Sequence, residues 1–426
     1  MQEEKKSFSD FALDSSLVEE LEKRRITQPT PIQELILSRL PVKTDIVAMS
    51  NTGTGKTLAY SLPILHSLLN DDKYFYAIII LPTRELSQQV HAVLSDIGGE
   101  IGLRTTLLIG GVDLLTQGKS LANRPHIIVG TPGRIHHHLK NTKGITFTSF
   151  KYLVLDECDR LLDNDFDGDI GSIFEIVSPK HTLLFTATMT KRVAAFKSKR
   201  MNSPVTHSVH SPECVPEDIS QQYVHLPQKH KEAYLYSIVR GLGCRKCIVF
   251  VGTCVTAERL ERMLRCLGES VCSIHGNKVQ AVRTETIEMF RSGKYSVLIS
   301  TDVVARGMDM AGIKTIINYD MPDGVKEYIH RVGRTGRAGE TGGAITFVTQ
   351  YDVEDFRRLE IKLGKKMDIY SIGAEVIHGL LDAVDSAKRE AAMDMKEEDV
   401  GRKIKEAKKG RQGIKSRTGR RENRKK

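Results

Sequence analysis

The sequence predicts two α/β domains in tandem, each a mainly parallel sheet with helices on both faces, followed by a basic C-terminal tail. Three observations carry that expectation. Short apolar runs alternate with segments of helical periodicity, the pattern of a parallel sheet whose crossover connections are helices. The alternation occurs twice, on either side of a proline-rich stretch that has no periodicity. A chain of 426 residues is long enough for two or three cores of ordinary size.

In chain order, Leu13, Leu17, Val18 and Leu21 recur at helical spacing behind Asp14, a good N-cap. Gln28-Pro29-Thr30-Pro31 is a stiff turn, after which Ile32-Gln33 begins a second helix with Leu35, Ile36 and Leu40 on its apolar face. Strands are expected at Ile46–Ala48, Ala77–Leu81, Thr105–Ile109, Ile127–Val129, Tyr152–Leu155 and Leu183–Phe185, with helices such as Glu85–Ile97 between them. Ser203–Asp218, carrying Pro204, Pro212 and Pro216, reads as a linker. A second set of strands follows at Cys247–Val251, Val271–Ile274, Val297–Ser300, Thr315–Asn318 and Ala344–Val348. The expected organisation is a first domain over 1–205, a linker over 206–218, a second domain over 219–368 and a charged extension over 369–426. The periodicity weakens from about Ile369. Glu390–Lys409 tolerates a helix but is heavily charged, and the end has no apolar face to fold against.

Composition narrows the function. The 40% apolar and 27% charged fractions belong to an ordinary globular chain, and no apolar run reaches the ~20 residues that span a bilayer. MQEEKKSF lacks the apolar core of a signal peptide, and seven cysteines without framework spacing suggest reduced thiols, so the expected location is intracellular. The net charge of +10 is concentrated at one end: Gly401–Lys426 holds thirteen Lys/Arg against two Glu, and the rest is close to neutral. That is the distribution of a folded body with a flexible electrostatic arm for nucleic acid, although a solvated, protein-binding or nuclear-targeting segment has the same composition.

Two motifs carry chemistry on their own. IVAMSNTGTGKT (46–57) breaks an apolar strand into a glycine turn ending in Lys-Thr. Gly53 and Gly55 let the N–H groups of Ser50, Asn51, Thr52 and Thr54 turn toward an anion at a helix N-terminus. Lys56 then reaches the β/γ-phosphates and Thr57 offers a hydroxyl to Mg2+. The strict pattern has glycine where this chain has Ser50. LVLDECD (153–159) is an apolar strand ending in three acids: Asp156 suits the metal and Glu157 the activation of an attacking water.

With these stand RITQPTPIQ (25–33), PTREL (82–86), Gly110-Gly111, TPGR (131–134), TAT (186–188), VFVGT (249–253), HGNKVQAVR (275–283), TDVVARGMD (301–309) and HRVGRTGR (330–337). Over residues 8 to 360 the chain resembles the DEAD-box RNA helicases in the order and spacing of all of them. The resemblance implies two RecA-like domains, an ATP-dependent RNA helicase activity, and ATP with Mg2+ as cofactors. It implies that Gln33 reads adenine, with Phe8 stacking on the base unless that ring is merely a core aromatic. Gly307 and Asp309 would complete the nucleotide site, and Arg334 and Arg337 would be arginine fingers. RNA would lie across Pro82, Thr83, Arg84, Gly110, Gly111, Thr131 and Arg134 on one domain and Thr253, Gln280, Arg283, Thr301 and Asp302 on the other. Thr186, Ala187, Thr188, Asp159 and His330 would couple hydrolysis to strand separation.

Those RNA contacts are mostly backbone, hydroxyl and guanidinium groups, which read phosphates and 2′-hydroxyls rather than bases. With no Trp and 6% aromatics, a base-stacking platform is not expected. Details such as DECDRLLD (156–163) and LLFTATMT (183–190) resemble the ribosome-biogenesis branch, implying pre-rRNA or a pre-ribosomal particle as partner, a protein activator, a monomeric protein without membrane contact, and a nuclear or nucleolar location. An ATP-locked RNA clamp with little turnover, or a DNA helicase on the same fold, would share these motifs. Cys158 replaces the family's usual Ala, Thr186 its usual Ser, and Arg25 a common Gly. Cys244 and Cys247 have no second pair for zinc, and His136, His137 and His138 point in different directions on a helix.

Overall fold

The computed structural model describes residues 6–50, 53–71, 73–144, 147, 150–162, 166–209, 215, 218–302, 310, 312–336 and 341–397. The first sheet contains β1 (Ile46–Met49), β2 (Ala77–Ile80), β3 (Thr105–Leu108), β4 (Ile127–Gly130), β5 (Tyr152–Leu155), β6 (His181–Thr186) and β7 (Val205–Ser208), in the order β3-β4-β2-β5-β6-β1-β7. The second contains β8 (Ile219–His225), β9 (Cys247–Val251), β10 (Val271–Ile274), β11 (Val297–Thr301), β12 (Thr315–Asn318), β13 (Gly342–Val348) and β14 (Asp368–Ile369), in the order β10-β11-β9-β12-β13-β8-β14. Every pairing in both is parallel.

Each central strand is buried on both faces, which is why its sequence is a continuous apolar run rather than an alternation. In the first sheet Ile46, Ala48, Ile79, Val129 and Phe185 face one helical layer, whereas Val47, Ile78, Ile128, Leu153 and Leu184 face the other. The second sheet repeats this with Val249, Val251 and Ile299 against Ile248, Phe250 and Leu298. Because the strands are parallel, the loops at their C-terminal ends open along one edge, where ligands of such sheets bind. The phosphate loop follows β1, PTREL follows β2, the paired glycines follow β3, TPGR follows β4 and the acidic cluster follows β5.

The N-terminal helices form as their sequences require. Ser15–Lys23 starts at Asp14, whose Oδ1 accepts from Ser16 N at 3.0 Å. Pro31–Leu37 begins with Pro31 in its first turn and ends before Leu40, which packs beyond it.

Three strands escape the sequence reading. β7 lies within the stretch read as linker, so Thr206–Ser208 belong to the sheet and not to the connection. It is an edge strand of mixed exposure, with too few apolar residues to signal itself. β8 reads ISQQYVH and is similarly mixed, and β14 is two residues long.

The weakening pattern after Ile369 also hides a helix, over 374–397. Ile377, Val384, Ala387 and Ala391 lie at helical spacing and bury themselves against the second core, joined by the half-buried Leu380 and Leu381. Lys388 reaches Glu232 at 3.5 Å from the same face. Alanines and flanking charges diluted that stripe in the sequence. The basic segment 401–426 lies outside the described residues. Removing the methyls of Ile377 should destabilise the second domain by about 2 kcal/mol. Urea unfolding of the full chain carrying Ile377→Ala should show this as an earlier second-domain transition; an unchanged midpoint would mean that the helix does not dock in solution.

Candidate functional site

The turn after β1 has the backbone that its glycines permit. Gly53 and Gly55 sit at φ of 82° and 86°, and Gly55 caps the helix Lys56–Leu69. The first N–H groups and dipole of that helix therefore face the cleft. Ser50, standing where the strict motif has glycine, bonds through its hydroxyl to Thr54 Oγ1 at 3.0 Å, and its carbonyl accepts from Lys56 Nζ at 3.3 Å. Asn51 and Thr52 lie outside the described residues.

Gln33 is 2% exposed and holds this turn. Its Oε1 accepts from Thr30 N at 2.9 Å and its Nε2 donates to Gly55 O at 3.0 Å, while Thr30 Oγ1 donates to Thr54 O at 2.8 Å. A side chain at position 55 would overlap the Gln33 amide. One amide hydrogen and one lone pair of Gln33 remain for a base. Arg25 adopts φ 59°, which accounts for glycine being common there in the resembled family. Phe8 does not match its stacking role in this structure. It is 1% exposed among Leu21, Leu37 and Leu62, so neither ring face is free for a base.

At the end of β5, Asp156 Oδ1 accepts from Glu157 N at 2.8 Å and Oδ2 from Tyr60 Oη at 3.2 Å. Burial raises the Asp156 carboxyl above its usual range, and Lys56 opposes that shift. Glu157 occupies the left-handed region at φ 50°, ψ 49°. Such backbone costs on the order of 1 kcal/mol or more and persists where the surroundings enforce it, commonly at functional sites. Cys158 is fully buried in the core, and burial pushes its thiol well up, so it acts as a small apolar filler.

These groups line one cavity of about 360 Å³ with Gly53, Gly55, Lys56, Thr57, Asp156 and Glu157 on the first domain and Arg334 on the second. Arg334 is 2% exposed and is aimed by a bond from its Nε to His330 O at 3.0 Å. Arg337, Gly307 and Asp309 lie outside the described residues. Behind the cavity, Ser50 N donates to Thr186 O at 3.0 Å, Thr186 Oγ1 to Thr188 O at 2.9 Å, and Thr188 Oγ1 to Asp159 Oδ2 at 2.7 Å. Ala187 is buried between those threonines, and His330 is buried and acts electrostatically on Asp159.

A second cavity, about 580 Å³, runs along the open edge beside Pro82, Thr83, Arg84, Gly110, Thr131 and Arg134. Thr83, Thr131 and Thr253 are N-caps of the helices Arg84–Gly99, Pro132–Asn141 and Cys254–Cys266. The positive ends of the first two helices thus border the channel, where they can receive phosphate, whereas Thr253 does not line it. The Arg84 guanidinium covers Gly110 and Gly111 so closely that a side chain at either would collide with it. Leu114, His137 and Phe166 also line this channel, and no motif pointed to them.

Three residues expected on RNA are engaged elsewhere. Gln280 and Arg283, 6% and 7% exposed, both reach Glu85 of the first domain, at 3.1 and 2.5 Å. They join the domains, and only Arg283 still borders the channel. Asp302 binds Arg331 through both oxygens at 2.6 Å, and burial raises its carboxyl to about 6. A carboxylate so engaged, beside Glu327, orders its own domain rather than approaching phosphate. Thr301 is buried at the end of β11. His136 pairs with Asp169 at 2.6 Å and His138 with Thr142 at 2.9 Å, so a neighbouring side chain takes one nitrogen of each ring. Tyr60 lies in no motif, and Glu85 and Arg331, although inside PTREL and HRVGRTGR, carried no sign of their roles, because their partners come from distant sequence.

Comparison with known proteins agrees with this geometry. Residues 30–196 match the family model described as DEAD/DEAH box helicase, and residues 230–339 match the helicase conserved C-terminal domain. The chain is 42% identical over 393 residues to the ATP-dependent rRNA helicase rrp3 of Schizosaccharomyces pombe, covering 92% of this chain and 84% of that protein. It is 38% identical to the probable ATP-dependent RNA helicase DDX47 of Homo sapiens, covering 93% of this chain and 87% of that one. Among solved structures, Dbp5 of S. cerevisiae bound to RNA and ADP BeF3 superposes with a TM-score of 0.79 at 28% identity, covering 91% of this chain and 99% of that one. Mss116p bound to single-stranded RNA and AMP-PNP gives a TM-score of 0.80 at 26% identity, with 90% and 83% covered. By its matched domains, its relatives and its fold, the chain belongs to the DEAD/DEAH box family of ATP-dependent RNA helicases.

Proposed function

We propose that this helicase clamps single-stranded RNA when ATP binds, hydrolyses ATP only with its domains closed, and so pries open short duplexes in the course of rRNA processing. The observation that carries the reading is the shared cavity, in which Lys56, Asp156 and Glu157 of one domain face Arg334 of the other. The rRNA helicase name of its S. pombe relative supports pre-rRNA, within a pre-ribosomal particle, as the substrate and the nucleus or nucleolus as the location. Among the described residues no helix is long and apolar enough to cross a membrane.

The donor set at the cavity fits magnesium. Thr57 and the buried Asp156 offer oxygen ligands beside a phosphate-binding turn, the hard donors that this ion takes. When bound, Mg2+ would neutralise phosphate charge. The protein's own groups do the rest. The N–H groups around Gly53 and Gly55 and the Lys56 ammonium orient the phosphates, and Gln33 holds the turn in shape. Glu157 accepts the proton of the attacking water. Arg334, with Arg337 as a second finger, meets the charge that develops on the transferred group, which makes hydrolysis conditional on closure. RNA is gripped through its backbone by Arg84, Arg134 and the capped helix ends, so binding is largely indifferent to sequence. The basic tail adds a salt-sensitive grip outside the core.

Two variants test this assignment. Glu157→Gln should bind ATP and RNA but turn over slowly, accumulating a ternary complex visible by filter binding; wild-type turnover would remove Glu157 from the mechanism. Arg334→Ala should lose RNA-stimulated ATPase by ~10³-fold with ATP affinity little changed. An equal loss of ATP affinity would mean that Arg334 binds the ground state instead.

A further inference from the structure

Asp159 ends the acidic cluster but takes no part in lining the nucleotide cavity. Its side chain is 1% exposed. One oxygen accepts from Thr188 Oγ1 at 2.7 Å and from Lys326 Nζ at 3.0 Å; the other has no hydrogen-bond partner among the described residues. Lys326 belongs to the second domain. It lies on the helix Val325–Val332, one turn before His330, and Arg334 follows shortly after that helix ends. Positions four apart share a helix face. The face that brings Arg334 to the nucleotide therefore also brings a cation to a buried carboxylate of the first domain. Burial disfavours the charged form of Asp159, but Lys326, His330 and the Thr188 hydroxyl outweigh it and hold the carboxyl below its usual range.

The hydrogen bonds from Ser50 N through Thr186 and Thr188 to Asp159 form a continuous path from the phosphate-binding turn to this carboxylate. We propose that Lys326 is a positioning residue that completes this path only when the domains close, so that its ion pair with Asp159 reports the state of the phosphate turn to the second domain. The proposal rests on the reading of Asp159, Thr186 and Thr188 as the coupling path and adds the cation on which that path ends. Lys326 keeps 36% of its side chain exposed, so water can take over its ammonium and the bond can break in each cycle. Arg334 acts on the transferred group, whereas Lys326 would act on the lifetime of the closed state.

The test uses the full chain with Lys326→Met, Lys326→Arg, Asp159→Asn and the double variant Lys326→Met/Asp159→Asn. The readouts are the lifetime of the complex with AMP-PNP and an oligouridine strand, and AMP-PNP affinity without RNA. Lys326→Met should shorten the lifetime roughly tenfold, the order expected for a partly exposed pair with one buried partner. AMP-PNP affinity without RNA should stay the same, and Lys326→Arg should restore most of the lifetime. In the Asp159→Asn background, Lys326→Met should add less than a twofold change, because the two side chains act as one unit. An unchanged lifetime in Lys326→Met, or effects of the two substitutions that simply multiply, would overturn the proposal. A normal Lys326→Met beside a defective Asp159→Asn would overturn it and leave the coupling path standing; normal behaviour in both would overturn the two together.

Discussion

Two buried carboxylates along the cleft are neutralised only from across it. Glu85 and Asp159, on the first domain, have side chains 1% exposed and take their cationic partners, Arg283 and Lys326, from the second. A carboxylate so placed either finds a cation across the cleft or must regain water by opening it. The closed arrangement therefore depends on charge pairs whose halves lie on separate bodies, and the nucleotide cavity depends on the closed arrangement through Arg334.

Such pairs are poor glue, because desolvation takes back much of what their attraction provides. That suits a machine that must open again. If cross-domain contacts were mainly apolar, closure would be favoured without ligand; with charge pairs near break-even, ATP and RNA can decide the equilibrium through their preference for the closed form. The rigid part of the design lies within each domain. Gln33 fixes the phosphate turn, the left-handed backbone at Glu157 fixes its carboxylate, and Arg331, held by both oxygens of Asp302, fixes the helix that presents His330 and Arg334.

Most of the fold was legible because strands buried on both faces leave continuous apolar runs such as AIII and YLVL. What escaped lay at or next to the sheet edges, where the edge strand β7 and the penultimate strand β8 mix polar and apolar residues, and in the helix over 374–397, whose stripe relies on alanine. The turn after β1 was legible because backbone turns need particular residues at particular positions: Gly53 and Gly55 are there for their φ angles. Residues on the domain interface were harder. Gln280 and Arg283 carry the groups expected of an RNA contact, and only the closed geometry shows that Glu85 takes them. Phe8 was ambiguous in the sequence because an aromatic that stacks on a base and one that fills a core look alike; its neighbours Leu21, Leu37 and Leu62 decide for the core.

A productive site exists only when the two sheets are brought together, and both ligands are needed to bring them together. Single-molecule energy transfer between a dye on the exposed helix end near Lys23 and one on the exposed surface near Ile361 measures this directly. AMP-PNP alone and RNA alone should leave the domains mostly apart, and the two together should produce a single high-transfer population. A high-transfer population with no ligand, or one fully formed by AMP-PNP without RNA, would contradict that requirement.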